Sequence, residues 1–149
     1  MDERERPLWY KNAVIYGLDV ATFQDSNGDG VGDFPGLCRR LDYLADLGVT
    51  CLWLLPMFPT PDRDNGYDVM DYFGIDPRLG TFVDFLMFVR KAGERGLRVI
   101  LDLVMDHTSN EHPWFRAARH DPASRFRRYY TWTDMPPPTE PGQGNIFAG

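Results

Sequence analysis

Val49–Leu55 reads VTCLWLL, seven residues of which Thr50 alone carries a polar side chain. A strand with one wet face alternates apolar and polar residues. A nearly continuous apolar run of strand length is what a parallel strand covered on both faces requires. Parallel neighbours need long crossovers, so the flanking segments should alternate helix and strand. They do. Ala13–Leu18 (AVIYGL) and Leu97–Val104 (LRVILDLV) read as the strands on either side. Between the first two, Asp33 is a helix cap with Pro35 in the first turn, Phe34, Leu37, Leu41, Leu44 and Leu47 follow helical spacing, and Gly48 is the stop. Between the second and third, Thr81 and Asp84 have capping-box spacing, Phe82, Phe85, Leu86 and Val89 form the expected buried stripe, and Gly96 ends the helix.

The order β-α-β-α-β gives an α/β fold, and it can begin either an open doubly wound sheet or an eight-stranded (β/α)8 barrel. No G-x-G-x-x-G stands between the first strand and helix, and the loop there is acidic, which would repel a pyrophosphate. The barrel is favoured. After His107 the alternation stops. Residues 113–134 are rich in aromatics and arginine, and 135–144 in proline and glycine. The expected division is therefore 1–112 as barrel and 113–149 as the start of an inserted domain.

A net charge of −6 argues against nucleic acid as a partner. Arg125, Arg127 and Arg128 cluster, but Asp121 and Asp134 flank them, so a solvated face is expected. Cys38 and Cys51 read as small buried hydrophobes rather than a disulfide framework. The opening MDERERPLWYK has no apolar signal core, and no apolar run reaches membrane-spanning length. A cytoplasmic protein without membrane contact is the expectation.

Three loops follow the three strands, where ligands of parallel α/β folds bind. The first, DSNGDGVGD, sets Asp25, Asn27, Asp29 and Asp33 among Gly28, Gly30 and Gly32. Alternating oxygen donors on a glycine-bent loop suit a hard cation, Ca²⁺ or Mg²⁺, in a structural role. It is not an EF-hand, because Gly36 stands where the twelfth-position glutamate belongs. The alternative is a surface loop of Asx turns. The second loop, RDNGYDVMDY over residues 63–72, offers carboxylates for sugar hydroxyls and aromatic faces for sugar C–H groups, with Asp64 and Tyr67 the pair that fits. An ordinary turn before a short strand is the commoner use of such letters. The third, DLVMDHTS, sets Asp102 at an inward position of the strand and His107 at its end, either as a ligand or as a satisfied core histidine.

Together these motifs resemble glycoside hydrolase family 13, the α-amylase family, in order and spacing. Within it, LDVATFQDSNGDGVGDFPGL, LDYLADLGVTCLWLLP, DPRLGT and HPWFRAAR are most similar to members that interconvert maltose and trehalose. The resemblance implies a (β/α)8 barrel with a domain inserted after the third strand. It implies that Asp25, Asn27, Asp29, the Val31 carbonyl and Asp33 hold a structural cation. It implies that Asp64 holds the non-reducing-end glucose, that Tyr67 stacks under it, that His107 bonds it and favours the transition state, and that Asp102 supports the site. One departure is Asp106, where the family usually has asparagine. Substrates would be maltose, trehalose or other α-glucosides. The family's retaining mechanism uses two carboxylates. These would lie on strands four and five, beyond Gly149, with a third aspartate after strand seven. The 149 residues are therefore expected to be an N-terminal fragment, inactive alone and weakly folded, with Trp53 and Leu54 facing nothing. A sibling α-glucosidase or glucanotransferase, or a non-catalytic binding protein on the same barrel, are the alternatives.

Overall fold

The computed structural model describes residues 8–134. The charged residues 1–7 and the Pro/Gly-rich stretch 135–144 lie outside them. The chain divides into two compact units, Met1–Pro113 and Trp114–Gly149.

In the first unit a 3-10 turn, Trp9–Asn12, precedes β1 (Ile15–Leu18) and a short helix α1 (Val20–Phe23). Then come α2 (Phe34–Arg39), α3 (Leu41–Asp46), β2 (Cys51–Leu54), α4 (Phe82–Glu94) and β3 (Arg98–Leu101). The sheet order is β1-β2-β3, parallel throughout, with Tyr16, Leu52 and Val99 in register and Leu18, Leu54 and Leu101 two residues on. Because side chains alternate across a strand, these residues share one face. Leu18, Leu52 and Leu54 pack there with Phe34, Leu37, Leu41, Leu44 and Phe88 in one buried core. Leu54 is fully buried, which corrects the expectation that it faces nothing; Trp53, one residue out of phase, is 42% exposed.

Asp33 caps α2 as expected, accepting from the Gly36 N–H at 2.6 Å. The single helix expected over 34–47 is broken at Arg40, whose φ is −105° and ψ 2°. The Arg40 guanidinium reaches the Gln24 side-chain carbonyl at 2.7 Å, which ties the break to the loop after β1. The stripe Phe34, Leu37, Leu41, Leu44 stays buried across it, but Leu47, at the cap of α3, is 56% exposed. The Thr81–Asp84 capping box on α4 is present in both directions. Its buried stripe differs from the expected one: Phe88 and Ala92 are buried and Phe85 packs beside them, whereas Phe82, Leu86 and Val89 are exposed. The apolar arc of α4 is wider than the contact it makes, and the edge nearest α2, where Phe34 meets Phe85 and Phe88, is the covered one. Cys51 is buried and Cys38 only partly so; both are free thiols. Among the described residues no helix is long and apolar enough to cross a membrane.

In the second unit Trp114 and Phe115 lie on α5 (Pro113–His120). Trp114 stacks on Phe126 and Phe115 on Trp132. Arg125 and Arg128 are exposed as expected. Arg127 is not part of a solvated face: its guanidinium lies 3.4 Å from the Trp132 ring centroid and donates to the Ala118 carbonyl at 2.9 Å. A weakly hydrated planar cation can pack on an indole in this way.

Candidate sugar site at the strand ends

The loop after β2 is built around a tight turn. The Tyr67 N–H donates to the Asp64 carbonyl at 2.9 Å, and Asn65 (φ 50°) and Gly66 (φ 88°) lie between them. Two successive positive φ values are what a type I′ turn demands, and Asn-Gly supplies them at low cost. The turn brings Asp64 and Tyr67 to its two ends, within about 7 Å at their Cα atoms. Asp64 is exposed, and among the described residues its carboxylate has no hydrogen-bond partner. Tyr67 is half-buried and donates its hydroxyl to Asp102 at 2.8 Å. That hydrogen bond, then burial and the charges of Asp102 and Asp64, push the Tyr67 phenol above its ordinary range. Asp102 sits just past β3, and its N–H continues the ladder to the Leu54 carbonyl. The inward carboxylate therefore has its partner, supplied by the neighbouring loop.

The rest of the loop is pinned. Asp68 accepts from the Thr60 hydroxyl at 2.5 Å and the Arg63 N–H at 3.1 Å. Arg78 grips buried Asp76 through two nitrogens and reaches Asp62, bonds that raise its already high basicity further. Asp62 has a φ of 58°, a conformation that needs such support in a non-glycine residue. Val69 is fully buried with Phe58 and Val104, and its carbonyl accepts from the Ser109 N–H at 2.9 Å. The loops after β2 and β3 are thus joined at several points.

His107 is exposed in the middle of the second of these loops, with Nδ1 3.0 Å from the Asp106 carboxylate. Its ring makes no hydrogen bond to Asp64 or Tyr67. Its carbonyl accepts from the Tyr72 hydroxyl at 2.9 Å, and the same hydroxyl lies 2.8 Å from the Val104 carbonyl. The sequence does not mark Tyr72 for this place; the only signal is a second tyrosine in the same loop. His112 is the buried histidine of this region, its imidazole pushed down by burial and drawn back up by Asp71. Among the described residues, clefts of about 290 and 240 Å³ open beside Cys38 and beside Tyr43, and neither of these is lined by Asp64, Tyr67 or His107.

The acidic loop after β1 is a chain of Asx turns. Asp25 accepts backbone N–H groups from Asn27, Gly28 and Gly30, and those of Gly28 and Gly30 above all hold its carboxyl below the usual range. Asn27 accepts from Asp29, and Asp29 from Val31. Buried Asp33 binds the Ser26 N–H and hydroxyl with the oxygen not used on Gly36. Among the described residues no three carboxylate, imidazole or thiol(ate) groups gather closely enough to hold a metal. The donor set is all oxygen and includes the Asn27 amide and the Val31 carbonyl, the chemistry a hard cation takes.

Most of the chain is similar to known proteins. The family description "Alpha amylase, catalytic domain" matches residues 18–146. A trehalose synthase of Pimelobacter sp. (strain R48) is 53% identical over 130 residues, which is 87% of this chain and 23% of that protein. A solved structure of a MutB variant in complex with glucose superposes with a TM-score of 0.82 at 41% identity, covering 85% of this chain and 23% of that one. A variant of the trehalose-6-phosphate hydrolase of Bacillus licheniformis superposes with a TM-score of 0.83 at 43% identity, covering 87% of this chain and 23% of that one. The chain thus spans about a quarter of the length of each, and its three parallel strands and their helices are the N-terminal part of the (β/α)8 barrel of that fold.

Proposed function

The chain belongs to the α-amylase catalytic-domain family, and from that premise we propose that it forms the glucose-holding part of an active site that rearranges α-glucosides, with maltose–trehalose interconversion as the reaction. The observation that carries this is the Asp64–Tyr67 turn, locked to the end of β3 through the Tyr67–Asp102 hydrogen bond. A glucose ring needs a flat apolar face beneath it and ionised acceptors at its edge. Tyr67 offers the face, its rotation restrained by Asp102. Asp64 offers an acceptor with no competing partner among the described residues. His107, one loop away, supplies a donor for a sugar hydroxyl on which charge shifts during bond cleavage.

Bond cleavage with retention calls for two further carboxylates about 5–5.5 Å apart. In this reading they stand on strands that follow β3. Asp68 and Asp102 are engaged with Thr60 and Tyr67, so neither is free to attack an anomeric carbon. Interconversion rather than hydrolysis further requires that the freed glucose be held away from water while it turns. The identity to a trehalose synthase supports that outcome; the likeness to a trehalose-6-phosphate hydrolase supports hydrolysis as the second reading. An active polypeptide that includes these residues, supplied with maltose, is expected to yield mainly trehalose. Glucose as the main product would favour the hydrolase, and no reaction with any α-glucoside would leave only a binding protein. The 149 residues alone are expected to give no turnover.

The loop Asp25–Asp33 would hold a Ca²⁺ or Mg²⁺ through Asp25, Asn27, Asp29, the Val31 carbonyl and Asp33. The ion would brace the loop and neutralise its crowded carboxylates. Calcium is expected to raise the melting temperature of the chain, and a chelator to reverse the rise. Asp25→Ala should abolish the calcium effect. A melting temperature indifferent to calcium, magnesium and chelator would leave the loop a set of self-satisfied turns.

A further inference from the structure

We propose that Tyr72 is a positioning residue for His107, holding the turn that presents the imidazole through its hydroxyl; this rests on the reading of His107 as a sugar ligand. The carbonyls of Val104 and His107 flank Met105 and Asp106, both exposed, and the Tyr72 hydroxyl lies within 2.9 Å of each. A phenol has one proton, so the two carbonyls share it. A single group thereby closes the turn from outside, in a segment that belongs to neither helix nor strand.

The group that closes it is itself fixed. The Tyr72 ring lies 5.9 Å from Phe58, edge-on, and 5.8 Å from His112, centroid to centroid. Phe58 and Val104 belong to the same small buried cluster as Val69. One end of the turn is therefore anchored by Val104 in that cluster, and the other by a hydroxyl on a ring packed against it. His107 sits where the anchored turn meets solvent. Its ring bonds Asp106, its neighbour in the chain, and that bond cannot fix the ring relative to the Tyr67 loop. Tyr72 can, because it comes from that loop.

Tyr72→Phe removes the hydroxyl and keeps the ring contacts. The test follows the His107 imidazole by NMR in an active polypeptide that includes these residues, with thermal melting alongside and glucose as the probe ligand. The variant is expected to melt within a few degrees of the parent, while the His107 ring signals move toward free-histidine values and those of His120 stay. Glucose affinity should weaken by up to about fivefold, the limit set by the full contribution of one neutral hydrogen bond. Unmoved His107 signals would overturn the proposal. So would a variant that unfolds, since the hydroxyl would then be a general structural bond. Tyr72→Leu, which removes the ring as well, should lower the melting temperature; a Leu variant that keeps the parent's His107 signals would also overturn it. Should glucose leave the parent's His107 signals unmoved, the sugar-site reading fails, while the free-chain signals still judge the positioning role.

Discussion

Gly36→Ala is expected to destabilise the fold by about 3 kcal/mol, at the upper end of overpacking costs. A Cβ on Gly36 would lie 2.0 Å from the Gln24 carbonyl oxygen and 2.8 Å from its carbon. Backbone is the obstacle, and this backbone is held from several sides. The Gln24 carbonyl accepts the Asp33 N–H, its side-chain nitrogen bonds the Asp25 carbonyl, and its side-chain oxygen receives Arg40. Moving Gln24 would open the acidic loop at both ends. A Cβ on Gly93, in α4, would meet nothing within 4 Å, so Gly93→Ala should be neutral or stabilise by up to about 1 kcal/mol. Urea unfolding of the two variants separates them. Equal midpoints would mean that the α2 N-terminus does not press on the loop after β1.

Asp64→Ala is expected to lower kcat/KM for an α-glucoside at least about a hundredfold in an active polypeptide that includes these residues. Two hydrogen bonds from sugar hydroxyls to a carboxylate contribute about 1.5–3 kcal/mol each. The same change should leave stability within about 0.5 kcal/mol, because it removes an exposed side chain with no partner among the described residues. Loss of activity without loss of stability marks a ligand-binding group. A variant that loses stability instead would return Asp64 to an ordinary turn.

Much of the fold is legible in one dimension, and the reasons are physical. The VTCLWLL run reads as a parallel strand, and β2 is the central strand of the sheet, but only the Leu52–Leu54 face is fully covered, since Trp53 on the other is 42% exposed. The capping box on α4 and the Asp33 cap are local hydrogen bonds, so spacing alone reveals them. Asn65-Gly66 declares its turn because few residues take positive φ. What spacing misses depends on three dimensions. Leu47, Phe82, Leu86 and Val89 match helical spacing, yet burial depends on which edge of an apolar arc meets a neighbour. The break at Arg40 follows from a bond to Gln24, sixteen residues away. Arg127 reads as one of a solvated charge cluster until Trp132 is seen beneath it. An inward Asp102 needs a partner, but nothing in the spacing points to Tyr67, and the hydroxyl of Tyr72 gives no sign of its two carbonyls.

The most direct measurement is a crystal structure of an active polypeptide that includes these residues, soaked with glucose. The sugar ring should lie flat on Tyr67, with its hydroxyls on the Asp64 carboxylate and the His107 imidazole and with the Tyr67–Asp102 bond intact. Glucose bound in the same barrel but out of reach of all three side chains would contradict the assignment.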